Sequence, residues 1–172
     1  DLVSQNLNMI FKTPKGDTVH ALKDVNFTLK KGELLTVLGP SGCGKTTLGK
    51  TLLKLIDSSS GEIIFNDKDI SKFSAKQMRP LRKDIQIIFQ DPYGSLNPRK
   101  TIEGTIMEPM DVHGLGQSYK EKRELVLDLL EKVGLPGKQY LNRYPHEFSG
   151  GQRQRICIAR SLAVKPDLII CD

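Results

Sequence analysis

The chain has 172 residues, with 26 lysines and arginines against 20 acids for a formal net charge of +6, and 38% of its residues are apolar against 27% charged. That length suits one domain, or one domain with a small insertion, and the composition excludes disordered and collagen-like chains. No apolar run reaches the roughly 20 residues of a membrane-spanning helix, the N-terminal stretch lacks the basic start and apolar middle of a signal peptide, and basic residues interleave with acids throughout, without the stripe or aromatic platform of a nucleic-acid binder. Cys43, Cys157 and Cys171 form an odd set without CxxC spacing and are expected to be reduced thiols of a cytosolic protein.

In chain order, residues 25–29 (VNFTL) alternate apolar and polar side chains and predict a half-exposed antiparallel strand before the KKGE turn. The apolar run 34–38 (LLTVL) predicts a buried strand, and Leu48, Leu52, Leu53 and Ile56 recur at helical spacing over 45–56. Residues 62–65 and 85–89 read as further buried strands. From Gln90 to about Pro145 the strand pattern gives way to helical periodicity and turn residues, which reads as an inserted helical subdomain; in it, residues 121–133 form an amphipathic helix stopped by Gly134. A last helix opens at Ser149 and runs to about Val164, ahead of a final buried strand at 168–171. Strands alternating with helices predict an α/β core with a mixed sheet. The expected organisation is an α/β core over 1–89 with an N-terminal antiparallel part, a Gln90 loop and helical subdomain over 90–148, and a return to the core over 149–172.

The run LLTVL enters Gly39, Pro40, Ser41, Gly42, Cys43, Gly44, Lys45 and Thr46, which match GxxxxGK[ST] and lead straight into the helix expected over 45–56, whose first turn also brings Thr47 to the expected cofactor site. Glycines let consecutive N–H groups turn toward a polyanion, and the helix N-terminus adds the positive end of its dipole. Lys45 supplies a compact charge for β and γ phosphates, worth roughly 4 kcal/mol at ~4 Å and an effective dielectric of ~20 before desolvation. Thr46 offers its hydroxyl to Mg²⁺, and Cys43 reads as a small spacer whose backbone matters. Asp172 ends the apolar run LIIC, where a carboxylate can hold Mg²⁺. Gln90 follows IQIIF; its amide can orient a nucleophile beside Mg²⁺, or simply cap a turn. Ser149, Gly150, Gly151 and Gln152 at a helix start form either a second anion site or an ordinary capped helix.

The order GPSGCGKT, Gln90 after a strand, FSGGQRQR and LIICD resembles the ATP-binding cassette (ABC) ATPases over essentially the whole chain. The resemblance implies a P-loop NTPase fold, ATP and Mg²⁺ as ligands, and Ser149–Gln152 contacting a nucleotide held by a second ATPase subunit, identical or paralogous. It also implies catalytic roles for Lys45 and Gln90, metal contacts from Thr46, Gln90 and Asp172, and adenine stacking by Phe11, which as a bare sequence feature could equally be core. The stretches QDPYGSLNPR and YPHEFSGGQRQRICIAR are similar to the ATPase subunits of bacterial oligopeptide, dipeptide and nickel importers. Phe148 stands where many relatives have leucine, with the same packing expected of it. Such a subunit sits at the cytoplasmic face of the membrane against permease subunits, served indirectly by an extracytoplasmic binding protein, with no nucleic acid involved.

The family carries a catalytic glutamate directly after the residue matching Asp172, then a switch histidine, so the chain reads as a fragment, or the resolved part of a longer chain, without the C-terminal part of the core. As such it is expected to bind Mg·ATP, to turn it over very slowly, and to expose apolar surface on its sheet. Two alternatives fit the sequence less well. A soluble ABC ATPase acting on DNA or ribosomes meets too short a spacing between Lys45 and Ser149 for a long coiled-coil insertion, and no zinc-ligand cluster. An unrelated P-loop kinase or GTPase leaves the SGGQ segment unexplained.

Overall fold

Asparagine and aspartate side chains shape the first hairpin. In the computed structural model, which describes residues 1–172, β1 (Leu2–Lys12) and β2 (Thr18–Leu29) pair antiparallel with a register that slips between Ser4 and Leu7 and again near Met9. Asn6 and Asp24 adopt left-handed backbone at φ 47° and 45°, which their short polar side chains tolerate. Side chains take over from the ladder there: the Asn6 N–H donates to Asn26 Oδ1 at 2.8 Å, and the Asp24 N–H to Asn8 Oδ1 at 3.1 Å. The bulge shifts the buried face by one residue, so Leu2 and Ser4 are buried before it and Leu7 and Met9 after it.

β3 (Ser60–Phe65) pairs with the other side of β1, and β4 (Lys68–Asp69) completes an antiparallel sheet of order β2-β1-β3-β4. Facing the bulge is Gly61, at φ 94°, where a β-carbon would lie 2.3 Å from the Asn6 carbonyl oxygen and 2.6 Å from Leu7 Cα. Helix α1 (Lys45–Leu52) is shorter than its periodicity predicts. It ends because Lys54 takes the left-handed conformation (φ 53°), with the N–H groups of Lys54 and Leu55 returning to the carbonyls of Thr51 and Lys50. The Lys54 ammonium, held by Asp57 at 2.5 Å and the Ser71 carbonyl at 2.6 Å, secures a conformation that glycine usually supplies. The short helix α2 (Ala75–Met78) carries a Ser74–Gln77 capping box. Together with Asp172, residues 1–81 form one of two units into which the chain divides.

The second unit, residues 82–171, carries a parallel pair, β5 (Ile85–Ile88) with β6 (Leu168–Cys171), and three helices: α3 (Ile102–Val112), α4 (Tyr119–Lys132) and α5 (Gly150–Leu162). One apolar core joins the helices through Ile102, Ile106, Met110, Val126, Leu130 and Ile156, each buried side chain worth about 1.5–3 kcal/mol. Gly134 closes α4 as expected: at φ 75° its N–H reaches the Glu131 carbonyl, and the Leu135 N–H reaches that of Leu130. Phe148 is buried against Tyr140, ring centroids 5.8 Å apart, in the packing role expected of it.

Three expectations need correction. Residues 34–38 form no strand and lie exposed, with Leu34 at 92% and Leu38 at 87% of full exposure. A strand exists only as one side of a ladder, and no other segment pairs with this run. β6 has one neighbour, so it is half-buried and its Cys171 exposed. The parallel and antiparallel pairings expected in one mixed sheet occupy two separate sheets.

Gly61→Ala is expected to destabilise by about 3 kcal/mol or more, combining left-handed strain with a backbone clash. Gly16→Ala, also at positive φ but with nothing within 4 Å, should cost about 1–2 kcal/mol. Urea midpoints of the two variants measure the difference. The thiols give a second prediction. Cys43 and Cys171 are exposed, whereas Cys157 is buried and its thiol pKa is raised by that burial. A maleimide reagent at neutral pH should label two thiols rapidly in the native chain and the third only on unfolding.

Candidate functional site

The glycine-rich loop acquires its shape from one close contact. Gly44, at φ 102°, stands at the N-cap of α1, and a β-carbon there would come within 2.5 Å of the Ala21 carbonyl oxygen on β2. Only glycine lets the helix begin so close to the sheet. Gly42 also has positive φ, at 79°, and open space around it. At Gly39, Cys43 Sγ would lie 2.6 Å from an added β-carbon, so the Cys43 side chain folds over that glycine and fills part of the loop. Ser41 is exposed at the tip.

Each of the other four α-helices has a hydroxyl cap: Ser74, Thr101, Ser118 and Ser149 each accept a hydrogen bond from a first-turn N–H. α1 has no side-chain cap. Its first internal bond runs from the Leu48 N–H to the Gly44 carbonyl at 2.8 Å, so the N–H groups of Lys45, Thr46 and Thr47 lack an acceptor within the helix. The Lys45 ammonium turns back over the loop, donating to the carbonyls of Gly39 and Pro40, each at 2.8 Å, with Cys43 Sγ at 3.7 Å. A cation and uncapped N–H groups converge on one loop, an arrangement that attracts an anion bearing several oxygens.

Beside it the Thr46 hydroxyl donates to Asp172 Oδ1 at 2.7 Å, joining residues 126 positions apart. Both are hard oxygen donors, and no cluster of three or more His, Cys, Asp or Glu exists to hold a metal alone. One carboxylate and one hydroxyl fit Mg²⁺, which keeps waters and takes phosphate oxygens for its remaining positions.

Phe11 is 40% exposed on β1, paired with the 52% exposed Val19 on β2. It is therefore a surface aromatic, and the core alternative does not hold. In the second unit Gln90 is exposed two residues beyond β5. Ser149 caps α5 with a reciprocal box: Ser149 Oγ accepts from the Gln152 N–H at 3.3 Å, and Gln152 Oε1 accepts from the Ser149 N–H at 3.0 Å. The hydroxyl proton of Ser149 stays available for an acceptor. Gly150 and Gly151 follow in the first turn, Gly151 exposed with nothing within 4 Å of where a β-carbon would stand.

Several participants carry little or no signal in the sequence. Ala21 acts through its carbonyl and carries no side-chain signal. Tyr93 stacks beneath Arg153, with the guanidinium carbon 4.2 Å from the ring centroid, and only an aromatic inside a turn-rich stretch hinted at it.

A family model described as ABC transporter matches residues 22–172. The chain is 54% identical over 154 residues to the glutathione import ATP-binding protein GsiA of Escherichia coli K12, covering 90% of this chain and 24% of GsiA. It is 48% identical over 169 residues to the oligopeptide transport ATP-binding protein OppF of Bacillus subtilis, covering 98% of this chain and 55% of OppF. It thus spans between a quarter and little more than half the length of these curated relatives. Among solved structures, the ATP-binding cassette MJ0796, described as a dimer in a post-hydrolysis state bound to ADP and Pi, superposes with a TM-score of 0.91 at 29% identity, over 100% of this chain and 73% of that one. CbiO1 of Clostridium perfringens, part of the transporter complex cbiONQ, matches with a TM-score of 0.80 at 31% identity, over 99% of this chain and 64% of that one.

Gly44→Ala should remove anion binding together with local stability, because the start of α1 must retreat from Ala21. Thr46→Val should lower the melting temperature by no more than about 6 °C, since one exposed hydrogen bond contributes only about 0.5–1.5 kcal/mol. The same variant should weaken Mg²⁺-dependent nucleotide binding by about ten-fold, as isothermal calorimetry with and without the metal would show.

Proposed function

Since the chain belongs to the ABC transporter family, we propose that it is the nucleotide-binding part of an ATP-hydrolysing subunit that powers peptide import. The observation that carries this reading is the uncapped start of α1, where Lys45 and three first-turn N–H groups meet the Thr46–Asp172 oxygen pair.

In this reading the N–H groups of Lys45, Thr46 and Thr47, with those of Gly42 and Gly44 in the loop, hold the β and γ phosphates, and the Lys45 ammonium exchanges its loop carbonyls for phosphate oxygens. Mg²⁺, when bound by Thr46 and Asp172, supplies charge neutralisation at the phosphate oxygens. Phe11 offers a flat apolar face for stacking the adenine. For Gln90 this reading keeps the role that the family resemblance implies, orienting the attacking water and contributing to the metal contacts. Ser149 donates its spare proton, and Gly150, Gly151 and Gln152 their N–H groups, to the nucleotide of a second ATPase subunit, whether a copy or a paralogue.

The functional division follows the motifs: 1–89 binds nucleotide, 90–148 carries the Gln90 loop and helical subdomain, and 149–172 joins the Ser149 helix to the Asp172 strand. The peptide cargo is proposed from the relatives, one named for glutathione import and the other for oligopeptide transport. No helix is long and apolar enough to cross a membrane, which fits a peripheral subunit on the cytoplasmic face, docked on permease partners that a binding protein supplies from outside.

In the complete protein, Lys45→Ala should lower ATP affinity by about ten-fold or more, read by calorimetry. Gln90→Ala should slow hydrolysis with ATP affinity changed less than about three-fold. Unchanged binding in the first variant, or lost binding in the second, would contradict the assigned roles.

A further inference from the structure

The segment after β5 is fastened to the Ser149-capped helix at three points. The Phe89 carbonyl lies one residue past the β5–β6 ladder and accepts from Gln154 Nε2 at 3.3 Å. Six residues on, the Ser95 carbonyl accepts from Arg160 Nη1 at 2.5 Å. Between them, the Tyr93 ring lies against the Arg153 guanidinium, and Arg153 Nε donates at 3.1 Å to the carbonyl of Phe148, the residue before the cap. A β-carbon on Gly150 would stand 3.7 Å from Tyr93 Oη, so the tyrosine also covers the first turn of α5.

The loop is braced from within. The Tyr93 N–H donates to Asp91 Oδ1 at 2.8 Å, and Ser95 Oγ donates to the Asp91 carbonyl at 2.8 Å. Arg153 and Arg160, seven residues apart, share one face of the helix across two turns. Residues 89–95, with Gln90 among them, are thus bound at both ends and in the middle to a single rigid element.

We propose that Gln154 and Arg160 are positioning residues that lock the Gln90 loop to α5, so that Gln90 and Ser149–Gln152 move as one body. A contact made at one of these sites is then delivered to the other without any separate relay. Coupling of this kind requires a continuous physical connection, and the two carbonyl bonds with the Tyr93–Arg153 stack provide it. The inference rests on the ATP-hydrolysing reading above and adds the link between two of its sites.

The test is a double-mutant cycle on the complete protein, with ATP affinity, KM and kcat measured for Arg160→Met, Gln90→Ala and their combination. Arg160→Met should lower kcat about ten-fold with ATP affinity changed less than about three-fold, and should add no further loss to Gln90→Ala. Arg160→Lys, which keeps one charged donor, should recover part of the rate. Multiplying losses in the double variant, or a fall in affinity that matches the fall in kcat, would overturn the proposal. If Arg160→Met does not fold, Gln154→Leu enters the same cycle with the same expectations. If the parent protein shows no ATP turnover, or Lys45→Ala leaves turnover unchanged, the ATP-hydrolysing reading fails and takes the coupling with it. A normal parent and Lys45 variant with an additive cycle would sink the coupling alone.

Discussion

The contact between Gly44 and the Ala21 carbonyl governs the candidate site. With a β-carbon at position 44 placed 2.5 Å from that oxygen, the chain can start α1 against β2 only through glycine. The starting point of α1 then sets where Lys45 and Thr46 stand, and Thr46 in turn meets Asp172 at 2.7 Å. One steric condition thus aligns a cation, three N–H groups and two oxygen donors. The arrangement is largely main-chain, which needs little reorganisation when a polyanion arrives.

The two helix starts proposed to contact nucleotide solve the same electrostatic problem differently. α1 has no hydroxyl cap and keeps its N–H groups for an external acceptor. α5 satisfies its own first turn through the Ser149–Gln152 box, and what it can still offer is the serine proton and the glycine N–H groups. The first start can enclose an anion within its own loop. The second presents a finished, rigid tip, suited to meeting a ligand that another surface already holds. Its rigidity extends through Arg153, Gln154 and Arg160 into the loop that carries Gln90.

Local chemistry is legible where a signal sits in consecutive residues. Gly134 ended α4 as its position implied, the Ser149 cap formed, and β3, β5 and β6 arose from short apolar β-branched runs. β1 was harder to read because its bulge at Asn6 breaks the period of two, so Leu2 and Ser4 fall out of phase with Leu7 and Met9. The early end of α1 was equally hidden, since a lysine fills the left-handed position where glycine would have announced it.

Sequence by itself determined the glycine-rich loop before α1, the capped Ser149 helix, the helical character of the central segment and the family, because these depend on residue types at fixed short spacing. Tertiary structure decided which apolar runs find partners, that Phe11 is a surface residue, that Thr46 meets Asp172, and that Gln154 and Arg160 reach the carbonyls flanking Gln90. The physical reason is the same each time. A ladder, a burial or a hydrogen bond to a carbonyl depends on a partner remote along the chain, and backbone acceptors such as those of Ala21, Phe89 and Ser95 leave no mark in the identity of the residue that carries them.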